Sequence, residues 1–335
     1  MKRNMAQWMD AILANPHKKA MPILSFPGIQ ITKDTVRDLV TDSNKMAACM
    51  QAVADRFDTG ISVSLMDLSV EAEAFGCSVR YSDDEVPTIH EPLVTSAQEA
   101  EALAVPAAGA GRTGQCIEAI KTAVSRIADR PVFAGIIGPY SLAGRLIGMT
   151  DIMIACYEEP EMVETVLRKG TDFLTDYAGK LKEAGANGMV VAEPAAGLLS
   201  PSLIEEFSNP YVKELIDSVQ DDFFLVIYHN CGNVTPLLQQ IKSIGAKAYS
   251  FGNAIRLKDA LEGIPSSSMV LGNLDPAGII RSGSPETVRR ETLAMLEECA
   301  SFKNFVPSSG CDIPPASPLE NIEAFFAAVR QFYQS

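Results

Sequence analysis

His229, Cys231 and Cys311 carry the side chains in this sequence that are best suited to hold a metal ion. His229 and Cys231 follow a short run of β-branched and aromatic residues, 223–227, which predicts a buried strand. Because successive side chains of a strand point to opposite faces, these two side chains, two residues apart, point the same way. Cys311 follows another short apolar run that ends among Gly, Asp and Pro residues, and it is the best third candidate in the chain.

One imidazole and two thiolates form a donor set that suits zinc. Three protein ligands with a vacant fourth position are typical of catalytic zinc, whereas a structural site is usually closed by four ligands. An H-x-C pair followed much later by a lone cysteine also differs from zinc fingers and ribbons, whose ligands come as local pairs. The alternative is a histidine that a backbone hydrogen bond satisfies and two buried thiols, since free cysteine is among the most buried residue types. Spacing alone leaves both interpretations open.

The composition favours one acidic domain and argues against several classes of partner. The chain has 335 residues, a formal net charge of −14 and a pI near 4.7, whereas nucleic acids and anionic membranes favour clustered Lys and Arg. No apolar run approaches the roughly 20 residues that are needed to span a bilayer. No linker or change in composition divides residues 1–335. We therefore expect a single domain with no nucleic-acid or membrane partner.

The amino terminus and the cysteines both favour a cytoplasmic protein. Residues 1–20 predict a short helical extension rather than a signal peptide, because no continuous apolar stretch follows Lys2 and Arg3. Seven cysteines, an odd number without secretory features, argue against a disulfide framework. Cys77 lies in a predicted loop and is a less favoured spare ligand. The remaining cysteines fall in helix-like segments, where we expect them to fill the core or to be lightly exposed: Cys49, Cys116, Cys156 and Cys299.

Eight predicted strands alternate with helices along the chain. This alternation is typical of a parallel sheet, and eight strands close a (β/α)8, or TIM, barrel. An irregular, acidic excursion over residues 71–106 follows the second strand and is expected to lie as a long loop over one mouth of the barrel. Helical segments are predicted over 35–57, 113–128, 141–156 and 161–184. The predicted strands span residues 21–26, 61–65, 132–137, 188–192, 223–227, 246–251, 269–273 and 305–306.

The carboxyl ends of the predicted strands carry polar residues that could do chemistry. In a barrel these ends meet at one mouth, so His229, Cys231 and Cys311 are expected to converge although they are distant in sequence. Glu193, after the fourth strand, is predicted to occupy the fourth coordination position or to accept a proton from a substrate. Its alternative role is that of a hydrogen-bond acceptor at the mouth. The other polar residues at strand ends are Ser25, Asp67, Tyr140, Asn253, Asn273 and Asp275.

Several motifs resemble the uroporphyrinogen decarboxylase superfamily, and within it the zinc methyltransferases that move a methyl group from a methylated corrinoid protein to coenzyme M. Residues 272–276, G-N-L-D-P, look like the motif of the superfamily, and residues 317–322 are similar to its t-P-x-E-N segment. Residues 22–30 and 70–76 resemble the methyltransferase branch. The resemblance covers nearly the whole chain.

Two features of the sequence favour the methyltransferase branch. The decarboxylases carry an arginine-rich R-Q-A-G-R segment after the first strand, which grips the carboxylates of the substrate, whereas residues 27–31 of this chain read P-G-I-Q-I. The zinc ligands of the methyltransferases are H-x-C and a later Cys, and His229, Cys231 and Cys311 stand at those positions. The resemblance therefore implies Zn²⁺, a methylcorrinoid carried by a partner protein as co-substrate, and a small thiol acceptor such as coenzyme M.

Two other functions stay open at this point. One is a metal-free, decarboxylase-like lyase that acts on a smaller carboxylated substrate, and the other is a non-catalytic barrel that binds zinc through a closed site. No D-x-H-x-x-G signature of a cobalamin-binding module is found, so the corrinoid is expected on a partner, with residues 71–106 as a docking surface. Arg145 and Arg37 are weaker candidates for holding a sulfonate, because a surface or ion-paired arginine is the commoner case.

Overall fold

A curved sheet of seven parallel strands forms the centre of the computed structural model, which describes residues 3–334. Its strands follow one another in chain order, each parallel to the next. Two further strands, β2 and β3, form a separate antiparallel pair. The strands are β1 (Ser62–Val63), β2 (Val79–Arg80), β3 (Thr88–Ile89), β4 (Val132–Ile137), β5 (Gly188–Ala192), β6 (Leu225–Asn230), β7 (Ala248–Phe251), β8 (Met269–Leu274) and β9 (Phe305–Ser309).

Helices separate most of the parallel strands and cover the sheet, as the predicted (β/α)8 architecture requires. They are α1 (Met5–Ala14), α2 (Ile29–Thr32), α3 (Val36–Thr41), α4 (Ser43–Arg56), α5 (Val70–Phe75), α6 (Ala97–Ala102), α7 (Thr113–Arg126), α8 (Pro139–Ile147), α9 (Met149–Glu158), α10 (Pro160–Glu183), α11 (Pro201–Phe207), α12 (Asn209–Val219), α13 (Leu238–Ile241), α14 (Leu257–Gly263), α15 (Pro285–Cys299) and α16 (Leu319–Gln334). Within residues 3–334, none of them combines the length and the apolar composition that crossing a membrane requires.

The segment predicted as the first strand, residues 21–26, is not a regular strand, and its last residue already begins a short 3-10 turn, Phe26–Gly28. It still closes the ring, because the Met21 N–H donates to the Pro307 carbonyl at 2.8 Å on one side. On the other side the Gly60 N–H donates to the Ala20 carbonyl at 2.9 Å. Regular pairing is interrupted since proline at position 22 has no N–H to donate, and the Ile23 N–H donates to the Ser309 hydroxyl at 3.1 Å instead. The barrel prediction is confirmed with this local difference.

Alternate residues of the strands fill the interior of the barrel and form one apolar cluster. Helix α1 closes the amino end of this interior. Its Met5 and Met9 are buried in the same cluster, and the Met5 N–H donates to the Asp222 carbonyl at 2.7 Å, just before β6. Burying each of these methionines contributes about 1.5–3 kcal/mol. The predicted helical extension therefore closes the mouth at the amino ends of the strands. The opposite mouth, at their carboxyl ends, is left open for a site.

The prediction that residues 71–106 form one long irregular loop is wrong. The region contains α5, the β2–β3 hairpin and α6, and the N–H groups of Leu93 and Val94 both donate to the Leu146 carbonyl. Gly76 ends α5 with a φ of 111°, and the Ser96 hydroxyl accepts a hydrogen bond from the Glu99 N–H at the start of α6. Elements this short carry too few residues for a sequence period to be recognised.

Two of the predicted helical segments each contain two helices. Residues 35–57 form α3 and α4, because the Asp42 carboxylate accepts hydrogen bonds from the Asn44 and Lys45 N–H groups and starts a new helix. Residues 141–156 are divided between α8 and α9 at Gly148, whose φ of 109° a helix does not allow. Both divisions come from a single residue within an otherwise helical pattern.

Candidate metal centre

Strand β6 positions His229 inside the barrel. The strand runs to Asn230, further than the predicted 223–227, and is hydrogen-bonded to β5 and β7 on its two sides. Leu225 and Ile227, which share a face with His229, belong to the interior cluster, so the imidazole lies above this apolar floor at the carboxyl end. His229 is 2 % exposed. The rigid central strand therefore fixes the imidazole at the open mouth of the barrel.

The structure brings His229, Cys231 and Cys311 together, as the sequence predicts. One ligand atom from each of the three residues lies within 4.8 Å of the others. Cys231 follows β6 directly and Cys311 follows β9, so strands at separate positions in the ring supply the three donors. Both cysteines are free and half-buried. These distances are compatible with one shared ion, since zinc binds sulfur at about 2.3 Å and imidazole nitrogen at about 2.0–2.1 Å.

The two nitrogens of His229 have different environments. Nδ1 lies 3.0 Å from the Ser250 hydroxyl on β7, whereas Nε2 is shielded from solvent and has no hydrogen-bond partner among residues 3–334. A buried polar atom without a partner is costly, so such atoms commonly mark an unseen ion or water. A hydrogen bond to Nδ1 that orients the ring is the usual support of a histidine that binds metal through the other nitrogen. Ser250 was not identified from the sequence, although it stands opposite His229 in the β6–β7 register.

The side chains of Cys231 and Cys311 interact through a hydrogen bond. A hydrogen bond with Cys311 lowers the pKa of Cys231, and the same contact raises the pKa of Cys311. The first proton of the pair is therefore lost easily, whereas removal of the second would place two negative charges side by side. A divalent cation between the sulfurs removes this repulsion and favours both thiolates. The donor set and its electrostatics thus fit a bound dication.

A cavity of about 70 Å³ opens beside the three donors. Asp312, the neighbour of Cys311, also lines this cavity, and its Oδ1 atom is shielded from solvent without a hydrogen-bond partner in the described part of the chain. Burial raises the pKa of Asp312 well above its usual range. The sequence signal for this residue is only its place beside Cys311. The rest of the lining is apolar and consists of Ile23, Met66, Leu68, Ala192 and Pro194.

Glu193 follows β5, the strand next to β6, but its carboxylate is directed toward the start of α8. Its carboxylate accepts hydrogen bonds from the Tyr140 N–H at 2.7 Å and the Ser141 N–H at 3.1 Å, at the start of α8. It is fully buried, and burial raises its pKa to about 7 against the opposing effect of these N–H groups. These contacts match the alternative role of a hydrogen-bond acceptor that holds a helix. The predicted role as a zinc ligand or base stays a prediction, since Glu193 is not part of the three-residue group.

A second polar cluster, which we call the Arg112 cluster (Asp67, Ser69, Glu73 and Arg112), lies at the same end of the barrel. The Arg112 guanidinium is ion-paired with Asp67 and with Glu73, and it donates a hydrogen bond to the Ser69 hydroxyl at 2.7 Å. It ties α5, which follows β1, to the start of α7. Of its members only Asp67 was identified from the sequence, because Arg112 precedes a helix without any local pattern.

Other residues identified from the sequence have structural partners. Asn273 donates two hydrogen bonds to the Gly252 and Ile255 carbonyls, at 2.9 and 2.8 Å. Asp275 accepts from the Ala277 and Gly278 N–H groups and begins a π-helical turn, and Asn321 of the second motif donates to the Ile280 carbonyl at the end of that turn. The two motifs therefore fix the same loop.

The remaining candidates lie away from the three donors. Cys77 is buried in the hydrophobic core. Arg37 lies 5.9 Å from the centre of the Tyr81 ring. Arg145 is half-buried on α8, where burial lowers its pKa and the charge of Asp67 opposes the shift. None of the three lines the cavity beside the metal donors.

Comparison with known proteins adds the family. The family model described as Uroporphyrinogen decarboxylase (URO-D) matches residues 7–332. The chain belongs to this family. The methylcobamide:CoM methyltransferase MtbA of Methanosarcina acetivorans is 27% identical to it over 271 residues, which cover 79% of this chain and 78% of that protein. Uroporphyrinogen decarboxylase from Dichelobacter nodosus is 25% identical and covers 86% of this chain and 84% of its own length.

Comparison with a solved structure and with a further relative supports the methyltransferase branch of the family. A methyltransferase from Methanosarcina mazei matches with a TM-score of 0.87 and 25% identity, over 98% of both chains. The methylcobamide:CoM methyltransferase MtaA of Methanosarcina barkeri is 28% identical over 79% of this chain and 78% of its own length. The expectation that this URO-D family member is a methyltransferase is therefore confirmed.

Proposed function

We propose that this URO-D family member transfers a methyl group from a methylated corrinoid, carried by a partner protein, to a small thiol such as coenzyme M. The observation that supports this most directly is the group of one imidazole and two sulfurs at the barrel mouth, with ligand atoms within 4.8 Å of one another and a cavity beside them. The named activity of the relatives MtbA and MtaA, methylcobamide:CoM methyl transfer, points in the same direction.

His229 Nε2 and the sulfurs of Cys231 and Cys311 would hold Zn²⁺, because no other group of this kind is found among residues 3–334. Bound Zn²⁺ supplies Lewis acidity, which lowers the pKa of a thiol acceptor. The two cysteine thiolates offset the charge of the dication, so the acceptor sulfur keeps enough electron density to react. Ser250 holds the imidazole in the orientation that leaves Nε2 free.

The proposed reaction balances without any further reactant. The acceptor thiol loses its proton to solvent, and its sulfur attacks the methyl carbon of the methylcorrinoid. A C–S bond forms as the Co–C bond breaks, and both electrons of the broken bond stay on cobalt, which changes from Co(III) to Co(I). The apolar lining of the cavity limits access of water to the reacting sulfur.

The decisive experiment combines metal analysis with an assay of thiol methylation. Purified protein is assayed with methylcobalamin and coenzyme M, and its zinc content is measured before and after Cys311→Ala. We expect the variant to lose zinc and to lose more than about a hundredfold of its activity, since a metal ligand and the chemistry that depends on it are removed together. Cys77→Ala, a buried thiol of the hydrophobic core, is the matched control and should keep both. Full methyl transfer by a zinc-free Cys311→Ala protein would contradict the proposal.

The lyase alternative has less support from the structure. Residues 26–28, next to the position where the decarboxylases carry their arginine-rich segment, form a buried turn in this chain. A side chain at Gly28 would approach the Cys49 sulfur to 2.3 Å, so an arginine at this one position would require movement of α4. The cytoplasmic location expected from the sequence stays a prediction.

A further inference from the structure

Cys231 is a metal donor whose position the sheet does not fix by itself. It is the first residue after β6, which ends at Asn230, so its backbone lies beyond the regular pairing with β5 and β7. A metal ligand must be held within about 0.5 Å of its productive position, which a loop residue achieves only where other groups lock it. The centre therefore needs a support for Cys231 that is separate from the sheet.

The side chain of Asn230 closes a turn around Cys231. Its Oδ1 accepts a hydrogen bond from the Gly232 N–H at 2.9 Å. A bond from an asparagine side chain to the backbone two residues further on forms an Asx turn, and Cys231 is the central residue of this one. Closing the ring restricts the two backbone dihedrals of Cys231, on which the direction of its Cα–Cβ bond and the position of its sulfur depend.

The same amide ties this turn to the neighbouring strand. Asn230 Nδ2 donates to the Glu193 carbonyl at 2.8 Å, just beyond β5, and to the Tyr228 hydroxyl at 3.2 Å. Asn230 is fully buried, and these bonds use both amide hydrogens as well as the oxygen. Strand alternation places the amide on the face of β6 opposite to His229, so it supports the donors from behind and is not itself a ligand.

The loops on both sides of the Cys231 turn pack against it through glycines. A Cβ at Gly252, the residue after β7, would lie 2.5 Å from the Cys231 Cα. A Cβ at Gly197, in the turn after β5, would lie 2.8 Å from Asn230 Oδ1 and 3.0 Å from the Gly232 Cα. Backbone atoms of two neighbouring loops therefore confine the turn, which only residues without a side chain permit at these positions.

We propose that Asn230 is the positioning residue of the metal centre: its amide directs the Cys231 sulfur toward His229 and Cys311 in the protein alone. This inference rests on the proposed function, because it concerns the metal that this function requires. A ligand that is already held in place raises metal affinity, since the cost of ordering it is not subtracted from the free energy of binding.

The zinc affinity of the full-length protein tests the proposal. Asn230→Ala removes both the turn and the bond to β5, and we expect competition with a chelator to show zinc binding that is about 10–100-fold weaker. Asn230→Ser should recover part of this loss, since a serine hydroxyl accepts the same hydrogen bond more weakly. Asn304→Ala is the matched control. It removes another buried amide, which donates to the Ser268 carbonyl before the amino end of β9, and it should keep wild-type zinc affinity.

Two further measurements separate positioning from stability. Denaturant unfolding gives the stability of each variant, and the optical spectrum of the Co²⁺-substituted protein gives the intensity of the thiolate-to-cobalt charge-transfer band. We expect Asn230→Ala and Asn304→Ala both to lose stability, because each removes the partner of buried polar groups. The band should weaken in Asn230→Ala alone. Equal losses of zinc affinity in the two variants would reduce Asn230 to a structural residue and overturn the proposal.

Gly197→Ala tests the same amide without removing it. The added methyl group would lie 2.8 Å from Asn230 Oδ1 and must displace it, so we expect zinc affinity to fall by at least about tenfold. Gly179→Ala is the control, since its Cβ would meet no atom within 4 Å. This pair decides the question if Asn230→Ala does not fold, and wild-type zinc affinity in Gly197→Ala would then count against the role of Asn230.

A measurement without metal distinguishes this inference from the proposed function. Phenylarsine oxide bridges two thiols that lie close together, and its oxygen leaves as water with the two thiol protons. It therefore reports whether the Cys231 and Cys311 sulfurs face each other, with Cys311→Ala as the background.

The outcomes are separable. If the wild type takes up no zinc but is bridged faster than Asn230→Ala, the metal centre of the proposed function fails and the positioning role stands. If the wild type binds zinc and folded Asn230→Ala binds it equally well, the proposed function stands and the positioning role is excluded. Equal bridging of the two proteins in the absence of any zinc binding would exclude both.

Discussion

The Arg112 cluster and the metal centre lie at the same end of the barrel and differ in how far their polar atoms are satisfied. In the Arg112 cluster the guanidinium meets two carboxylates and a hydroxyl, all supplied by the protein. In the metal centre His229 Nε2 and Asp312 Oδ1 are both buried without a hydrogen-bond partner in residues 3–334. Both regions are largely buried, but only in the Arg112 cluster does the protein itself supply hydrogen-bond partners for the charged side chain.

This difference separates a structural polar cluster from a binding site. A buried ion network whose members satisfy one another fixes the position of the elements that carry it, here α5 and the start of α7. Orphaned buried atoms cost free energy in the protein alone and are retained where a ligand, ion or substrate supplies the missing partner. The comparison therefore predicts that mutations in the first region change stability and those in the second change binding.

The largest expected effect is the loss of Arg112. Arg112→Met keeps much of the side-chain volume but leaves Asp67 buried without its cation, so we expect the free energy of unfolding to fall by about 3–5 kcal/mol. Folded protein should still bind zinc, because no member of the metal centre is changed. Denaturant unfolding and zinc analysis measure the two effects. Arg56→Met, which breaks an exposed pair with Glu323, is the control and should cost at most about 1 kcal/mol. Loss of zinc from folded Arg112→Met would break the distinction between the regions.

A smaller effect is expected from the support of His229. Ser250→Ala removes the hydroxyl 3.0 Å from Nδ1, and loss of such a partner commonly weakens metal binding by about 10–100-fold. Competition with a zinc chelator measures this change. Ser308→Ala removes another buried hydroxyl of the barrel, which donates to the Met21 carbonyl, and serves as the control. Equal zinc affinities for the two variants would show that Ser250 does not orient the ligand.

The third effect, which vanishes at low pH, concerns Glu71, a buried carboxyl group beside the Arg112 cluster. Its Oε1 accepts from the Ile137 N–H, its Oε2 has no partner in the described chain, and burial raises its pKa from 4.5 to about 7. The folded state therefore holds the proton more tightly than the unfolded state. The resulting penalty is absent below pH 4.5, grows as the pH rises and is complete above pH 7.

Glu71→Gln removes this titration and keeps the shape of the side chain. Relative to wild type, we expect it to gain up to about 3 kcal/mol of stability at pH 8 and nothing near pH 4.5. Thermal unfolding at a series of pH values measures the difference, with the exposed Glu91→Gln as control. A stability difference that does not depend on pH would show that Glu71 does not titrate in this range.

The sequence predicted the three donors because their chemistry is local. His229 and Cys231 follow a recognisable strand, and strand alternation alone puts both side chains on one face. Their meeting with Cys311 required only that eight alternating units close a barrel. The residues that complete the centre were harder to recognise. Ser250 depends on the register of β6 with β7, and Asp312 becomes informative only once its Oδ1 is known to be buried without a partner.

Two features that the sequence did not reveal have the same physical origin. Residues 71–106 fold into elements of two to six residues, which are held by contacts of α5 with α7 and α8 and of α6 with α10 rather than by any period of their own. Glu193 was placed at the mouth correctly, but the direction of its side chain depends on where α8 begins, and the N–H groups of Tyr140 and Ser141 attract the carboxylate away from the metal donors.

Residue type and periodicity alone determined the barrel, the donor set and the acidic surface of this protein, because each follows from interactions within a few residues or from the count of repeating units. The tertiary structure decided which buried polar groups have hydrogen-bond partners within the protein and which do not. That property depends on distances between residues that are remote in sequence, such as Arg112 from Asp67 and Cys311 from Cys231, and on the burial that makes an unpaired atom costly.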